Sequence, residues 1–219
     1  MTAPNVYDWN RIRAALRLLQ EVFPGFLENV VLIGGGACWF YREALRQWQD
    51  PDFPVPLWTE AEEAVWLSKD VDFMGLDREE ASQLLDTPFD EETHTFHFRG
   101  LELDFLEEGL RLTPQNAVLS RRAAQLPEVV FYVAEASLLY AEKCALVQTK
   151  ERPQDRLHQR LLAEFLNSSN ANSVARSKIP QRSIRPVGLA APAPSKAPPW
   201  GSLAAMRDWP GGCGPGSSA

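Results

Sequence analysis

The sequence predicts an α/β (α+β) domain over residues 1–166, followed by a disordered tail over residues 167–219. Within the domain, short apolar runs of strand-like composition alternate with longer segments whose apolar residues recur at helical spacing. From Asn167 onward this patterning stops, and the last quarter of the chain holds 8 of the 17 prolines and 6 of the 13 glycines. Such a segment buries too little apolar surface to offset the entropy lost on ordering.

The composition is typical of a soluble globular protein, with 45% hydrophobic and 23% charged residues. No apolar run reaches the roughly 18 residues of a membrane span, and the start at Met1–Tyr7 lacks the pattern of a signal peptide. Cys38, Cys144 and Cys213 are odd in number and far apart, which argues against a disulfide framework and a zinc site. We therefore expect a cytoplasmic protein with no membrane partner.

The net charge of -7 is unevenly distributed along the chain. Residues 167–219 carry six basic residues against Asp208 alone, a balance of +5, which leaves -12 on residues 1–166. An acidic domain binds a polyanion weakly, because neutralising phosphates supplies most non-specific nucleic-acid affinity. The charge therefore favours a protein or a cationic small molecule over RNA as the partner of this domain.

The first half of the domain is predicted to alternate helices with buried strands. Its elements are a helix from Asp8 to Phe23, a strand over Asn29–Ile33, a turn over Gly34–Gly36, a helix over Cys38–Trp48, a loop over residues 49–56, a helix over Ala61–Leu67, a strand over Lys69–Met74 and a helix over Leu76–Leu85. The helix starts rest on capping residues, and Pro and Gly mark the ends.

The second half is predicted to contain a hairpin, one more strand and a closing pair of helices. Its elements are strands over Thr93–Arg99 and Leu101–Glu107 joined at Gly100, a helix from Thr113 to about Gln125, a strand over Val129–Val133, and helices over Glu135–Lys150 and Gln154–Leu166. Thr113-Pro114 supplies the start of one helix, since proline is favoured at the first helical position.

Two carboxylates in the predicted strand indicate a metal site. Asp70 and Asp72 are two residues apart, so their side chains point to one face of a strand. Holding two adjacent carboxylates ionised is costly unless a cation lies between them. Mg²⁺ takes such oxygen ligands together with substrate phosphates. The glycine turn Gly34–Gly36 precedes a helix, and a helix N-terminus is a favourable place for a phosphate.

Asp104 adds a third carboxylate on the predicted hairpin, and Glu102 shares its strand face. We rank Glu102 lower as a ligand, because it lies closer to the turn. His94 and His97 are three apart on a predicted strand and so face opposite ways, which excludes simple joint ligation. His158 is predicted on a helix surface.

The order of these pieces resembles the nucleotidyltransferase superfamily, the polymerase-β-like fold. The matching residues are Gly34-Gly35-Gly36, Ser68-x-Asp70-x-Asp72, and Asp104 between apolar neighbours. The segment with Lys143 and Arg152-Pro-Gln-Asp155-Arg156 resembles the C-terminal helices of the abortive-infection-type nucleotidyltransferase toxins and their minimal relatives. The resemblance implies a small mixed sheet flanked by helices and closed by a C-terminal helical pair.

The resemblance also implies an activity, the Mg²⁺-dependent transfer of a nucleoside monophosphate from an NTP such as ATP to an acceptor hydroxyl. In such a site Asp70, Asp72 and Asp104 are the catalytic residues and hold two Mg²⁺ ions. The residues implied for nucleotide binding are Gly34, Gly35, Gly36, Ser68 and Lys143. The acceptor could be a tRNA, a protein or a small molecule. The resemblance to the toxins implies an antitoxin as a partner.

Two departures from the family keep an alternative open. About 34 residues separate Gly35 from Asp70, and the excess is an insert over Trp48–Trp66. Trp66-Leu67 stand where family members often carry an arginine. A catalytically inactive binding module with this fold is therefore the alternative, and a phosphohydrolase that uses the same triad on water is a third hypothesis. For the segment Arg152-Pro-Gln-Asp155-Arg156, a local ion pair between Asp155 and Arg156 is the alternative to a functional role.

Overall fold

The computed structural model describes residues 7–48, 68–150 and 152–177, which all belong to one compact unit. The helices within these residues are α1 (Trp9–Val22), α2 (Phe26–Asn29), α3 (Gly34–Trp48), α4 (Arg78–Leu85), α5 (Pro114–Leu119), α6 (Ala136–Lys150) and α7 (Pro153–Ser177). The strands are β1 (Val31–Leu32), β2 (Val71–Met74), β3 (Phe89–Asp90), β4 (Thr95–Phe98), β5 (Leu101–Phe105), β6 (Arg122–Leu126) and β7 (Val129–Val133).

The strands form one mixed sheet in the order β3-β4-β5-β2-β1-β7-β6. Strand β2 runs parallel to β5 and antiparallel to β1, while β1 runs parallel to β7. The predicted hairpin is present as the antiparallel pair β4–β5. Helices flank the sheet, so the predicted α/β class with a mixed sheet is confirmed.

An aromatic cluster holds β2 and β5 side by side in the core. Phe73 and Phe105 are register partners in the parallel pair, and their rings stack with centroids 5.7 Å apart. Phe26 of α2 packs edge-on against both rings, at 5.9 and 6.1 Å. Because side chains alternate along a strand, the residue before each phenylalanine points to the other face of the sheet. The core thus orients Asp72 and Asp104 toward one common side.

The N-terminal helix follows the sequence pattern closely. The Asp8 side chain accepts a hydrogen bond from the backbone N–H of Arg11 at 2.8 Å, as an N-cap residue does. Ile12, Leu16 and Leu19 are fully buried on one face of α1. The prediction of a helix from Asp8 to Phe23 is confirmed to within one residue at each end.

Two stretches of the chain take a different secondary structure from the one predicted. The strand expected over Asn29–Ile33 is reduced to β1, because residues 26–29 form the single turn α2. The helix expected up to Gln125 ends at Leu119, and residues 122–126 instead form β6, paired with β7 along its whole length. Arg, Ala and Gln are good helix formers, but the preference is small per residue, and the hydrogen bonds to β7 outweigh it.

The C-terminal helical pair is present and longer than predicted. Pro153 is the first residue of α7 rather than a break before it, and α7 continues to Ser177 instead of ending at Leu166. No helix in residues 7–48, 68–150 and 152–177 combines the length and hydrophobicity needed to cross a membrane. The disorder predicted from Asn167 onward is wrong for residues 167–177, which continue α7. The rest of the predicted tail, like the loop and helix predicted within residues 49–67, lies outside the described residues.

Candidate metal centre

The structure brings the three predicted carboxylates together. One oxygen each from Asp70, Asp72 and Asp104 lies within 4.8 Å of the others, and all three side chains are half-buried. Asp72 and Asp104 are direct register partners of the parallel pair β2–β5, and Asp70 lies in the bend just before β2. Their separation is that expected of ligands to one shared cation or to neighbouring cations.

The pKa of each of the three carboxyl groups is raised, chiefly by burial. Burial raises the pKa of Asp72 well above its ordinary value, and the charges of Asp70 and Asp104 raise it further. Burial, with repulsion from Asp70, raises the pKa of Asp104 to about 6. Burial also raises the pKa of Asp70, with Glu102 as the main repelling neighbour. Keeping all three groups ionised at neutral pH is therefore costly for the protein alone, and a bound cation would offset that cost.

The Asp104 carboxylate provides a direct test of fit for such a cation. Its Oδ1 atom is buried and accepts no hydrogen bond from any of the described residues. Buried polar atoms are nearly always paired, so an orphaned carboxylate oxygen requires a ligand or a water. Three aspartate oxygens are the donor set that a hard cation such as Mg²⁺ prefers. The residues present fit a magnesium site.

The three glycines lie against this centre, although not as the separate turn that was predicted. Gly34–Gly36 form the first turn of α3 itself. The Gly35 N–H donates to Asp72 Oδ2 at 3.2 Å. A Cβ on Gly34, whose φ is +57°, would overlap the Asp72 carboxylate. The helix N-terminus therefore touches the carboxylate directly, and only glycine allows that approach.

The other two residues of this turn region have packing roles of their own. A Cβ on Gly35 would lie 2.7 Å from Ser68 Oγ, and one on Gly36 would lie 3.0 Å from Leu32 Cδ1.

Ser68 is buried, and its hydroxyl bonds the Asp70 side chain, which lowers the pKa of that carboxyl against the effect of burial. The structure thus assigns Ser68 an orienting contact with Asp70, while phosphate binding by Ser68 or the glycines stays a prediction.

Lys143 occupies a position that the sequence did not anticipate. Its ammonium lies 2.6 Å from Asp155 Oδ1, and the two side chains are 8% and 1% exposed. The ion pair considered between Asp155 and Arg156 is therefore replaced by a buried pair between α6 and α7. The Lys143 charge also lowers the pKa of Asp72, so Lys143 opposes the cost of ionising that ligand. A contact between Lys143 and phosphate stays a prediction.

His158 is buried, at 2% exposure, so the prediction of a surface histidine is wrong. Burial and the neighbouring Lys143 hold its pKa well below the ordinary value, which keeps the imidazole neutral. The spacing of Asp155 and His158, three apart, places both on one helix face. That face is turned toward α3, where a Cβ on Gly35 would lie 3.9 Å from the His158 ring.

The two histidines of the hairpin region also differ from expectation. His94 lies in the turn before β4, with φ at +58°, and not in a strand. The exposed His97 ring approaches Asp90 Oδ2, with Nε2 at 3.2 Å. Neither belongs to the three-carboxylate cluster, and the premise that both histidines lie on one strand is wrong, since His94 precedes β4.

Arg78 and His94 are site neighbours that sequence reasoning missed. Both lower the pKa of Asp104 through their charge, against the larger effect of burial. Arg78 begins α4, four residues after the end of β2. The only signal in the sequence was a basic residue soon after the carboxylate strand, which by itself is too common to single out.

Two surface depressions are formed by described residues, with volumes of about 440 and 230 Å³. The larger is lined by α5, α6 and the segments next to them, and the smaller by α1 and the β6–β7 turn. Neither contains a residue of the triad.

No family model and no curated protein matches this chain. The class of protein must therefore be argued from the sheet, the three carboxylates and the helix terminus against them.

Proposed function

We propose that this chain is a metal-dependent nucleotidyltransferase. The observation that carries the proposal is the convergence of Asp70, Asp72 and Asp104 within 4.8 Å, against the first turn of α3. A carboxylate cluster alone is a common surface feature. A cluster that is half-buried, raised in pKa and touched by a glycine-rich helix N-terminus is suited to a metal with a phosphate.

Asp70, Asp72 and Asp104 would hold the Mg²⁺ ions, which when bound neutralise phosphate charge and activate the attacking hydroxyl. Gly34 leaves the first turn of α3 without a side chain at the point where it meets the Asp72 carboxylate. The positive end of the helix dipole adds to the attraction for the triphosphate. Ser68 orients Asp70, and the buried Lys143 favours the ionised form of Asp72.

The proposed reaction forms a bond between the acceptor oxygen and the α-phosphorus of the NTP. The bond from that phosphorus to the bridging oxygen of the β-phosphate breaks, pyrophosphate leaves, and the hydroxyl proton is released. The acceptor class rests on charge alone. The balance of -12 over residues 1–166 favours a protein or a cationic small molecule, with tRNA as the alternative from the family resemblance.

The test is label transfer from each α-labelled NTP, with Mg²⁺ and cell extract. The wild type is compared with Asp72→Asn, which keeps the shape of the side chain, and with Asp86→Asn as a matched control. Asp86 is an exposed carboxylate at the C-cap of α4, outside the cluster. We expect labelled product from the wild type and the control, and none from Asp72→Asn. Equal labelling by all three proteins, or by none, would contradict the proposal.

The same experiment separates the two other hypotheses. Sensitivity of the product to nuclease or protease identifies an RNA or protein acceptor. Release of nucleotide without labelled acceptor would indicate a phosphohydrolase. For the non-catalytic binding module, NTP binding without turnover is the expected result.

A further inference from the structure

Tyr7 lies just before α1, and its side chain is fully buried. Its backbone N–H donates to the Ser68 carbonyl at 2.9 Å, in an isolated antiparallel bridge. Its phenol oxygen accepts a hydrogen bond from the Glu102 N–H at 2.6 Å. Asp70 follows Ser68 by two residues. Asp104 likewise follows Glu102 by two, so a single residue joins the two segments that carry these carboxylates.

The phenol oxygen of Tyr7 stands where the sheet lacks a backbone acceptor. In the parallel pair β2–β5, the Leu106 N–H donates to the Phe73 carbonyl at 2.9 Å. Parallel ladders repeat every two residues, so the Glu102 N–H would bond the Lys69 carbonyl if the pairing continued. The pairing stops first, because β2 begins two residues after Lys69 and the chain bends there. The Tyr7 hydroxyl accepts from that N–H instead, so the bend leaves no donor of β5 unpaired at this point.

The contact with Ser68 leads directly to one of the carboxylates. The Ser68 hydroxyl bonds the Asp70 side chain, and Oγ lies so close to α3 that a Cβ on Gly35 would be 2.7 Å away. Tyr7 therefore fixes the backbone of a residue that is confined between the metal centre and the helix. Tyr7 is confined in turn, because its ring is part of the hydrophobic core and the Arg11 guanidinium of α1 lies 4.5 Å over the ring centroid.

We propose that Tyr7 is a positioning residue of the metal centre, and that its hydroxyl sets the separation between Asp70 and Asp104. The hydroxyl holds β5, while the backbone N–H of the same residue holds the segment before β2. A change in the separation of the two carboxylates would therefore strain or break one of these bonds. Replacing a residue that holds metal ligands through hydrogen bonds typically weakens metal binding by about 10–100-fold. The inference rests on the proposed function only for the role of the metal in the reaction.

The test compares two buried tyrosines whose hydroxyls each bond the backbone at a different place. Tyr7→Phe keeps the ring and removes the hydroxyl. Tyr41→Phe is the matched control, because the Tyr41 hydroxyl donates to the Ala134 carbonyl, at 2.8 Å, in the segment after β7. Mn²⁺ serves as the probe, since carboxylate sites that suit Mg²⁺ also suit Mn²⁺. The EPR signal of free Mn²⁺ measures the affinity of the full-length protein for the ion without relying on activity.

Both variants should melt about 2–4 °C below the wild type in EDTA, because each loses one buried hydrogen bond. Only Tyr7→Phe should bind Mn²⁺ more weakly, by at least ~10-fold. Amide hydrogen exchange provides a second measurement on the same proteins. The Glu102 amide should exchange faster in Tyr7→Phe, since it loses its acceptor, and should stay as protected in Tyr41→Phe as in the wild type.

Unchanged Mn²⁺ affinity in Tyr7→Phe overturns the inference, whether or not the Glu102 amide exchanges faster. An equal loss of Mn²⁺ affinity in Tyr7→Phe and Tyr41→Phe also overturns it, since that pattern indicates a general loosening of the fold. These results are separate from the labelling experiment. If only Tyr7→Phe loses Mn²⁺ affinity while no protein transfers label, the positioning role stands and the proposed function fails. Label transfer by the wild type with equal Mn²⁺ affinity in all three proteins gives the reverse conclusion.

Discussion

Replacing Asp104 with asparagine should stabilise the protein when no metal is present. The substitution keeps the size of the side chain and removes one of three negative charges that lie within 4.8 Å of one another. A site built to hold a cation is destabilising for the protein alone, because function and stability compete for the same residues. The expected gain therefore measures the combined cost of burying the ionised Asp104 carboxylate and of its repulsion from Asp70.

The magnitude follows from the pKa of Asp104. Burial and the Asp70 charge raise that pKa from 3.8 to about 6, which corresponds to about 3 kcal/mol. Partial exposure of the side chain allows solvent screening, and we expect about 2 kcal/mol in practice. For a domain of this size, 1 kcal/mol changes Tm by about 2–4 °C, so the variant should melt about 4–8 °C higher.

The sign of the pH dependence is fixed by the direction of the shift. The folded protein holds the Asp104 proton more tightly than the unfolded chain, whose pKa is 3.8. Wild-type stability without metal should therefore fall as the pH rises from about 4 through 6, since the folded state binds more protons in that window. The stability that the folded state gains by holding the Asp104 proton is lost above a pH of about 6. Asp104→Asn should lack this pH dependence.

The assay is thermal unfolding in EDTA and in Mg²⁺, for the wild type, Asp104→Asn and the control Asp86→Asn. In EDTA at pH 7.5 the Asp104 variant should be the most stable of the three. Mg²⁺ at about 100 times its Kd should raise wild-type stability by about 2.7 kcal/mol and leave the Asp104 variant unchanged. A lower Tm for Asp104→Asn in EDTA, or an equal response to Mg²⁺ in all three proteins, would refute the reasoning.

Three further changes test the surroundings of the centre. Gly34→Ala should destabilise the fold by more than about 1 kcal/mol beyond the effect of Gly25→Ala, and it should abolish the stabilisation by Mg²⁺. Both glycines have a positive φ, but only Gly34 lies against a carboxylate. Equal melting temperatures of the two variants would contradict this prediction. Lys143→Met should lower the free energy of unfolding by about 3–5 kcal/mol, because it leaves the Asp155 carboxylate buried and unpaired. Adding Asp155→Leu should recover most of that loss. A double variant that folds but loses NTP affinity would indicate a phosphate contact for the lysine. The Glu142 carboxylate accepts hydrogen bonds from three backbone N–H groups of the segment after β5 and so holds that segment in place. Glu142→Gln should lower the free energy of unfolding by about 1–3 kcal/mol and speed tryptic cleavage in this segment. Unchanged cleavage would contradict this role of Glu142.

The local elements near the site were predictable from residue patterns. Alternating apolar residues mark β2 and β5, and the alternation itself sets which side Asp72 and Asp104 face relative to their buried neighbours. Capping chemistry located α1 well. The prediction was poorest where propensity and tertiary pairing disagree, as in β6, where a helix-favouring sequence is held extended by hydrogen bonds to β7. The bounds of the last helix were missed because no proline or glycine marks its end near Leu166.

What the sequence by itself determined is the set of groups available: three aspartates on or beside strand-like runs, and three glycines next to a helix-forming segment. Only the tertiary structure decided that Asp72 stands opposite Asp104, because the register between two parallel strands depends on packing and not on spacing along the chain. The same holds for the partner of Lys143, which is set by how α6 packs on α7. Local preferences act over a few residues, whereas a metal centre is made of groups that only the folded core brings into contact.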